Sequence, residues 1–258
     1  MWKPIFILIL LAYGHCLHSQ ERYSNVNGQN YLIKEIGQGE IIVIFENGMS
    51  DSLEVWGAIP DSVAKFAKVF LYDRADIAKS DTSSSQRILP TVVSELRSIL
   101  RKENINPPYI LVGHSYGGMI IRYFASEYSN EVKGLLLIDP CPESFWDSMT
   151  KEELGDYING GNEWYETKFT PKYRKEWYQF IPNMKYMKNL HIDKNLPITL
   201  VSATAWEWYK YHEDILTGFN NTKHVELDGE HHIYKDHPDS TVKYIKELVI
   251  GALSGLNK

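Results

Sequence analysis

The stretch from Tyr109 to Phe124 constrains this chain more than any other. Tyr109-Ile110-Leu111-Val112 is continuously apolar, Gly113-His114-Ser115-Tyr116-Gly117-Gly118 follows, and Met119, Ile120, Tyr123 and Phe124 then recur at helical spacing with Arg122 on the other side. That order predicts a strand, a sharp turn and a helix, with Ser115 at the turn. Glycine is required at 113 and 117 because side chains there would collide as strand and helix close on each other. A hydroxyl in this place stands clear of the sheet, beside a helix N-terminus whose free N–H groups favour negative charge.

The rest of the chain supplies the setting for such a turn. Tyr23 to Ile36 alternates and is interrupted by Asn27-Gly28, which predicts a hairpin. Further strands are expected at residues 41–45, 69–72, 110–112, 132–138, 198–201 and 224–227. Helical patterns are expected from Trp56 to Phe66, at 90–103 and at 239–253. Strands that are apolar throughout and alternate with helices imply an α/β fold with a mostly parallel sheet covered on both faces. Residues 142–196 break the alternation. They contain no strand pattern and eleven of the chain's aromatic residues, from Phe145 to Tyr186. This segment is expected to be a helical cap, with about a third of its aromatics facing a substrate. The core is then 20–141 and 197–258.

At 258 residues the length suits one such domain. Net charge is −6 and no run of Lys or Arg is present, which argues against a nucleic-acid partner. The N-terminus has a different character. Lys3 precedes an apolar run from Ile5 to Tyr13, with polar residues from His15 to Gln20. It reads as a secretory signal peptide cut after Ser19, so the mature chain is expected to be secreted or periplasmic, with no transmembrane segment beyond the leader. Lipidation at Cys16 is a weaker alternative, since His15 precedes it directly. Removal of the leader leaves Cys141 alone, so no internal disulfide can form. Cys141 is expected to be a small packed residue.

A serine nucleophile needs a base and an orienting acid. His231 and His232 follow the last strand in Asp228-Gly229-Glu230-His231-His232, and His231 is the preferred base. Two acids follow strands: Asp139 after 132–138, and Glu207 after 198–201, with Asp139 preferred. His114 is expected to face away from the nucleophile. Glu46-Asn47-Gly48-Met49 follows the strand at 41–45, and the N–H groups of Met49 and Tyr116 are the expected oxyanion donors.

Phe45-Glu46-Asn47-Gly48, Tyr72-Asp73-Arg74-Ala75, Gly113 to Gly118, Leu137-Ile138-Asp139-Pro140, and His231 seven residues before Pro238 together resemble the α/β-hydrolase superfamily, in its serine esterase and proline iminopeptidase branch. The resemblance spans about residues 22–255. It implies an acyl-enzyme mechanism with Ser115, His231 and Asp139, a small acyl substrate, and no metal or organic cofactor. Two departures stand out. The family's usual acid follows the strand at 198–201 within a Gly–Asp motif that Ser202-Ala203-Thr204-Ala205-Trp206-Glu207 lacks, whereas some relatives place it where Asp139 stands. Asp76 and Ala78 replace the usual glycines after Tyr-Asp-Arg. Cleavage of a carboxylic ester is the first expectation. A proline iminopeptidase, an acyltransferase and a non-catalytic binding module on the same fold are the alternatives.

Overall fold

The computed structural model describes residues 20–256; the leader expected over 1–19, including Cys16, lies outside the described residues. The Asn27-Gly28 turn opens the sheet as the sequence requires. Asn27 and Gly28 have φ of 53° and 84°, the left-handed pair that lets a two-residue turn follow the twist of its strands. The turn joins β1 (Gln20–Val26) and β2 (Gln29–Ile36) as an antiparallel hairpin. β2 then pairs antiparallel with β4 (Lys68–Tyr72). From there β3 (Ile42–Glu46), β5 (Tyr109–His114), β6 (Val132–Ile138), β7 (Ile198–Ala203) and β8 (Thr222–Leu227) run parallel. The spatial order is β1-β2-β4-β3-β5-β6-β7-β8.

Every residue of β3, β5 and β7 is buried, as strands covered on both faces must be. Alternate residues feed two cores. Ile42, Ile44, Leu111, Leu135 and Leu137 face one layer, while Val43, Phe45, Ile110, Val112, Leu136 and Ile138 face the other. This is the two-residue period of a strand divided between two helical layers. The first layer holds α2 (Leu89–Lys102) and α3 (Tyr116–Glu127). The second holds α1 (Ile59–Val63) and α9 (Pro238–Leu256). Leu89, Val92, Val93, Leu96, Ile99 and Leu100 are the buried stripe of α2 at three- and four-residue spacing.

The helix expected from Trp56 to Phe66 is broken. A 3₁₀ turn at Leu53–Trp56 ends at Gly57, whose φ of 57° leaves helical space, and α1 restarts with Pro60 in its first turn. Between β6 and β7 lie α4 (Glu143–Asp147), α5 (Lys151–Lys168) and α6 (Pro171–Met187). The Thr150 hydroxyl accepts from the Glu153 N–H and the Glu153 carboxylate accepts from Thr150 N–H, a reciprocal cap that starts α5. After β7 and β8 come α7 (His212–Leu216) and α8 (Ile233–Asp236). No helix among the described residues is long and apolar enough to cross a membrane.

Candidate active site

Ser115 sits between β5 and α3 with φ 53° and ψ −120°. A Cβ on Gly117 would lie 2.4 Å from the Glu46 carbonyl oxygen, and one on Gly113 would lie 2.7 Å from the Gly117 carbonyl oxygen. These two close approaches hold the turn, and a side chain at either place would push β3 or α3 away. Tyr116 is the first residue of α3, so its N–H has no partner within the helix. Met49 follows Gly48 in the loop after β3. Among the described residues no hydrogen bond occupies either N–H group.

His231 lies in the turn between β8 and α8, at the same edge of the sheet. Its Nδ1 is 2.6 Å from Asp139 Oδ2. The Asp139 carboxylate is fully buried and also accepts from the Ala203 N–H at 2.9 Å and from Trp208 Nε1–H at 3.2 Å. Its Cα holds φ at 40°, a conformation that carries strain in a non-glycine residue. Glu207, the other candidate acid, points to solvent and, among the described residues, pairs only with Lys210 at 3.7 Å. His232 turns the other way and meets Asp51 at 3.6 Å. The structure therefore brings Asp139 to His231 and brings neither Glu207 nor His232 into that pair.

Ser115 and His231 border one cavity of about 520 Å³, with Met49 and Cys141 at its floor. The Ser115 hydroxyl contacts Cys141 Sγ at 3.7 Å, and no hydrogen bond joins it to His231 among the described residues. Contacts of this kind are commonly long until a substrate closes the site. Burial pushes the Cys141 thiol up to about 12, so it is a protonated, inert packing residue, as expected. The cavity walls are Tyr157, Trp164, Tyr165, Trp177 and Phe180 from α5 and α6, with Trp206 and Trp208 from the segment after β7. Five of the eleven aromatics between Phe145 and Tyr186 thus face the cavity, more than the expected third. A larger cleft of about 710 Å³ beside Arg122 and Glu143 contains neither Ser115 nor His231, so size alone does not locate the site.

Arg74 and Glu46 stand in two of the motifs quoted above, but their part in the site, and that of Glu176, was not read from the sequence. Arg74 is fully buried beneath the loop after β3. Its Nη1 donates to the Asn47 carbonyl at 2.9 Å and its Nη2 to the Gly48 carbonyl at 2.8 Å. It pairs with Glu46 and, through two bonds of 2.6 and 2.9 Å, with Glu176 of α6. Glu176 in turn accepts the Ser50 N–H at 3.0 Å. Burial drives the Glu46 pKa up against the pull of Arg74, and the paired carboxylates hold the Arg74 guanidinium charged. A signal for Glu176 was present: it falls on the buried stripe of α6 with Trp177, Phe180, Asn183, Met184 and Met187. A charge on such a stripe needs a buried partner.

His114 faces away from Ser115, as its place in the strand requires. Its ring packs against those of His231 and His232, with centroids 4.5 and 4.8 Å away. Burial, then the neighbouring imidazoles, lowers its pKa well below the usual imidazole value.

The comparisons with known proteins agree with this architecture. The family model described as the alpha/beta hydrolase fold matches residues 41–180, more than half of the chain, and the chain belongs to that family. An uncharacterised protein of Bacillus subtilis, YqjL, is 26% identical over 221 residues, covering 78% of this chain and 81% of its own. Mouse alpha/beta hydrolase domain-containing protein 10 superposes with a TM-score of 0.69 at 17% identity, over 89% of this chain and 98% of its own. The enol-lactonase of Burkholderia xenovorans superposes with a TM-score of 0.66 at 14% identity, over 89% of this chain and 100% of its own.

Proposed function

We propose that the protein is a serine hydrolase that cleaves a carboxylic ester through an acyl-enzyme. The observation that carries this reading is the meeting, at one cavity, of Ser115 at a strained turn and His231 bonded to a buried Asp139. The Asp139 carboxylate accepts Nδ1–H and leaves Nε2 of His231 as the base. His231 takes the Ser115 proton as the oxygen attacks the substrate carbonyl, and later returns it to the leaving alcohol. The N–H groups of Met49 and Tyr116 receive the oxyanion, each contributing on the order of 3 kcal/mol to the transition state. Water then opens the acyl-enzyme by the same steps in reverse.

The cavity wall argues for the substrate class. Half of its lining residues are Tyr, Trp or Phe, and among the described residues Asp156 is the only Asp, Glu, Lys or Arg that lines it. Among the described residues no Arg or Lys lines it to receive an anionic acyl group. A neutral, apolar or aromatic ester of modest size fits such a lining. The name of the structurally similar enol-lactonase points to related ester chemistry on the same fold, although a shared fold does not transfer a substrate. Peptide trimming from an N-terminus draws support from Asp156, whose carboxylate at the rim suits a free ammonium. The Lys3 charge and the apolar run from Ile5 to Tyr13, read as a leader, are the ground for proposing export.

The test is labelling with a fluorophosphonate probe alongside turnover of a short-chain nitrophenyl ester. Wild type labels at Ser115 and turns over the ester. Ser115→Ala and His231→Ala each lose roughly 10⁴-fold or more, and the double variant loses no more than either single one, because the two residues act as a unit. A folded wild type that neither labels nor turns over any ester or prolyl anilide would leave a binding module as the better reading. Product analysis with an added alcohol acceptor separates hydrolysis from acyl transfer.

A further inference from the structure

Three ligand atoms converge beside the base without entering the cavity that holds Ser115. One ligand atom from each of Asp51, His114 and His232 lies within 4.8 Å of the other two, and Asp51 Oδ2 and His232 Nε2 are 3.6 Å apart. None of the three residues borders the cavity shared by Ser115 and His231.

His114 is prepared for ligation. Its Nε2–H donates to the His231 carbonyl oxygen at 2.9 Å, which leaves the lone pair on Nδ1. That Nδ1 is buried and has no hydrogen-bond partner among the described residues, although the residue as a whole is only 1% exposed. A buried imidazole nitrogen without a partner is costly in a folded protein. An imidazole whose other N–H is held by a backbone carbonyl is also the usual arrangement of a metal-bound histidine.

Gly48 provides the room. A Cβ at that position would lie 2.7 Å from Asp51 Oδ2 and 2.9 Å from His114 Nδ1. Glycine at 48 therefore lets the backbone pass close to both ligand atoms without a side chain covering them. Two imidazoles and one carboxylate suit a first-row divalent ion and are a poor set for Mg²⁺ or Ca²⁺. Tetrahedral zinc with bonds of about 2.0–2.1 Å places its ligand atoms roughly 3.4 Å apart. The Asp51–His232 pair already has nearly that spacing. A rotation of the His232 side chain, which is 40% exposed and packs against the His114 ring, closes the rest.

We propose that Asp51, His114 and His232 form a binding site for a divalent transition-metal ion, Zn²⁺ foremost, with water completing the shell. The ion joins three segments of the site: the loop after β3 that carries Met49, the end of β5 before Ser115, and the turn that carries His231. It acts as a clip on their relative positions and takes no part in the bond-breaking step. The inference stands apart from the proposed ester cleavage, because none of its ligands is assigned to that chemistry.

The test is calorimetric titration of the untagged, chelator-stripped protein with Zn²⁺, together with melting curves and the visible spectrum with Co²⁺. The variants are Asp51→Asn, His232→Gln and His231→Ala, each checked for wild-type circular dichroism. Wild type should take up one equivalent of Zn²⁺ with a rise in Tm, and Co²⁺ should give the intense bands of a low-symmetry site. Asp51→Asn and His232→Gln should each weaken binding by about tenfold or more. His231→Ala should bind as wild type while losing ester turnover. The proposal fails if Zn²⁺ does not saturate at one equivalent, or if neither ligand variant weakens it. It also fails if His231→Ala weakens binding as much as His232→Gln, which would put the ion on the Asp139–His231 pair.

Discussion

Ala78 shows what a single residue does against its own preference. The family's glycines after Tyr-Asp-Arg are Asp76 and Ala78 here, yet both keep positive φ, at 72° and 40°. The backbone has the glycine conformation without the glycine. It is held there by neighbours: the Ala78 N–H donates to the Tyr173 hydroxyl at 2.9 Å, and the Ala78 carbonyl accepts from Lys172 at 2.8 Å. Both partners come from α6, so contacts between distant elements offset local strain. A left-handed alanine costs about 1–2 kcal/mol. Ala78→Gly should therefore stabilise the protein by about 1 kcal/mol after the extra unfolded-state freedom of glycine is counted. Urea unfolding measures this, and an unchanged or lower midpoint would mean that the strain is relaxed in another way.

At the scale of elements, α6 and the loop after β3 form one mechanical unit. Arg74 links them through Glu176, and Ser50 adds a second tie, its N–H donating to Glu176 at 3.0 Å and its hydroxyl to the Tyr173 carbonyl at 3.2 Å. The helix that walls the cavity thus also braces the loop whose Met49 N–H is assigned to the oxyanion. Glu176→Gln leaves the buried Arg74 with one carboxylate partner instead of two. It should destabilise the protein by about 3 kcal/mol, as expected when one member of a buried ion network is removed. Ester turnover should fall through kcat more than through KM, because a loosened loop affects the transition state more than binding. A drop in Tm with unchanged kcat would limit Glu176 to a stabilising role. The pairing was only half legible beforehand: the apolar stripe of α6 is periodic, but the address of its buried carboxylate depends on where Arg74 arrives.

For the whole molecule, a buried chain behind the site couples stability to pH. His212 Nε2–H donates to the Pro140 carbonyl at 2.7 Å, and Ser202 Oγ–H donates to His212 Nδ1 at 2.6 Å. His224 reaches the same Ser202 at 2.7 Å and meets Glu213 on its far side. Burial lowers the His212 pKa from 6.5 to about 4, against the opposing pull of Asp139. Below pH 6.5 the unfolded chain takes up a proton here that the folded protein refuses. The stability contributed by neutral His212 is thus full above pH 6.5, declines as pH falls, and is gone near pH 4. Its size is on the order of 3 kcal/mol. The gap in unfolding free energy between wild type and His212→Asn should shrink by that amount between pH 7 and pH 4. A gap independent of pH would show that His212 protonates as readily in the folded state as in the unfolded one.

The alternation of apolar strands and helices, the Asn27-Gly28 hairpin and the turn at Ser115 could all be read from the sequence, because each follows from short-range sterics and periodicity. Chain order pointed to a histidine just after the last strand and did not by itself separate His231 from His232. The acid was a different matter. Asp139 and Glu207 both follow buried strands, and the preference for Asp139 rested on the family pattern, the Gly–Asp motif missing before Glu207, and on no feature that places a carboxylate beside His231. The decision lies in lateral strand order: β6 and β7 are neighbours, with β8 beyond them. The Ala203 N–H of β7 therefore reaches Asp139, and the turn after β8 delivers His231 to it across 92 residues of chain. Glu207 is left in solvent. Local propensity carries no information about which strand ends become neighbours, so only the assembled sheet could settle which acid meets His231. The convergence of Asp51, His114 and His232 arises in the same way, from three segments that meet only when the sheet is complete.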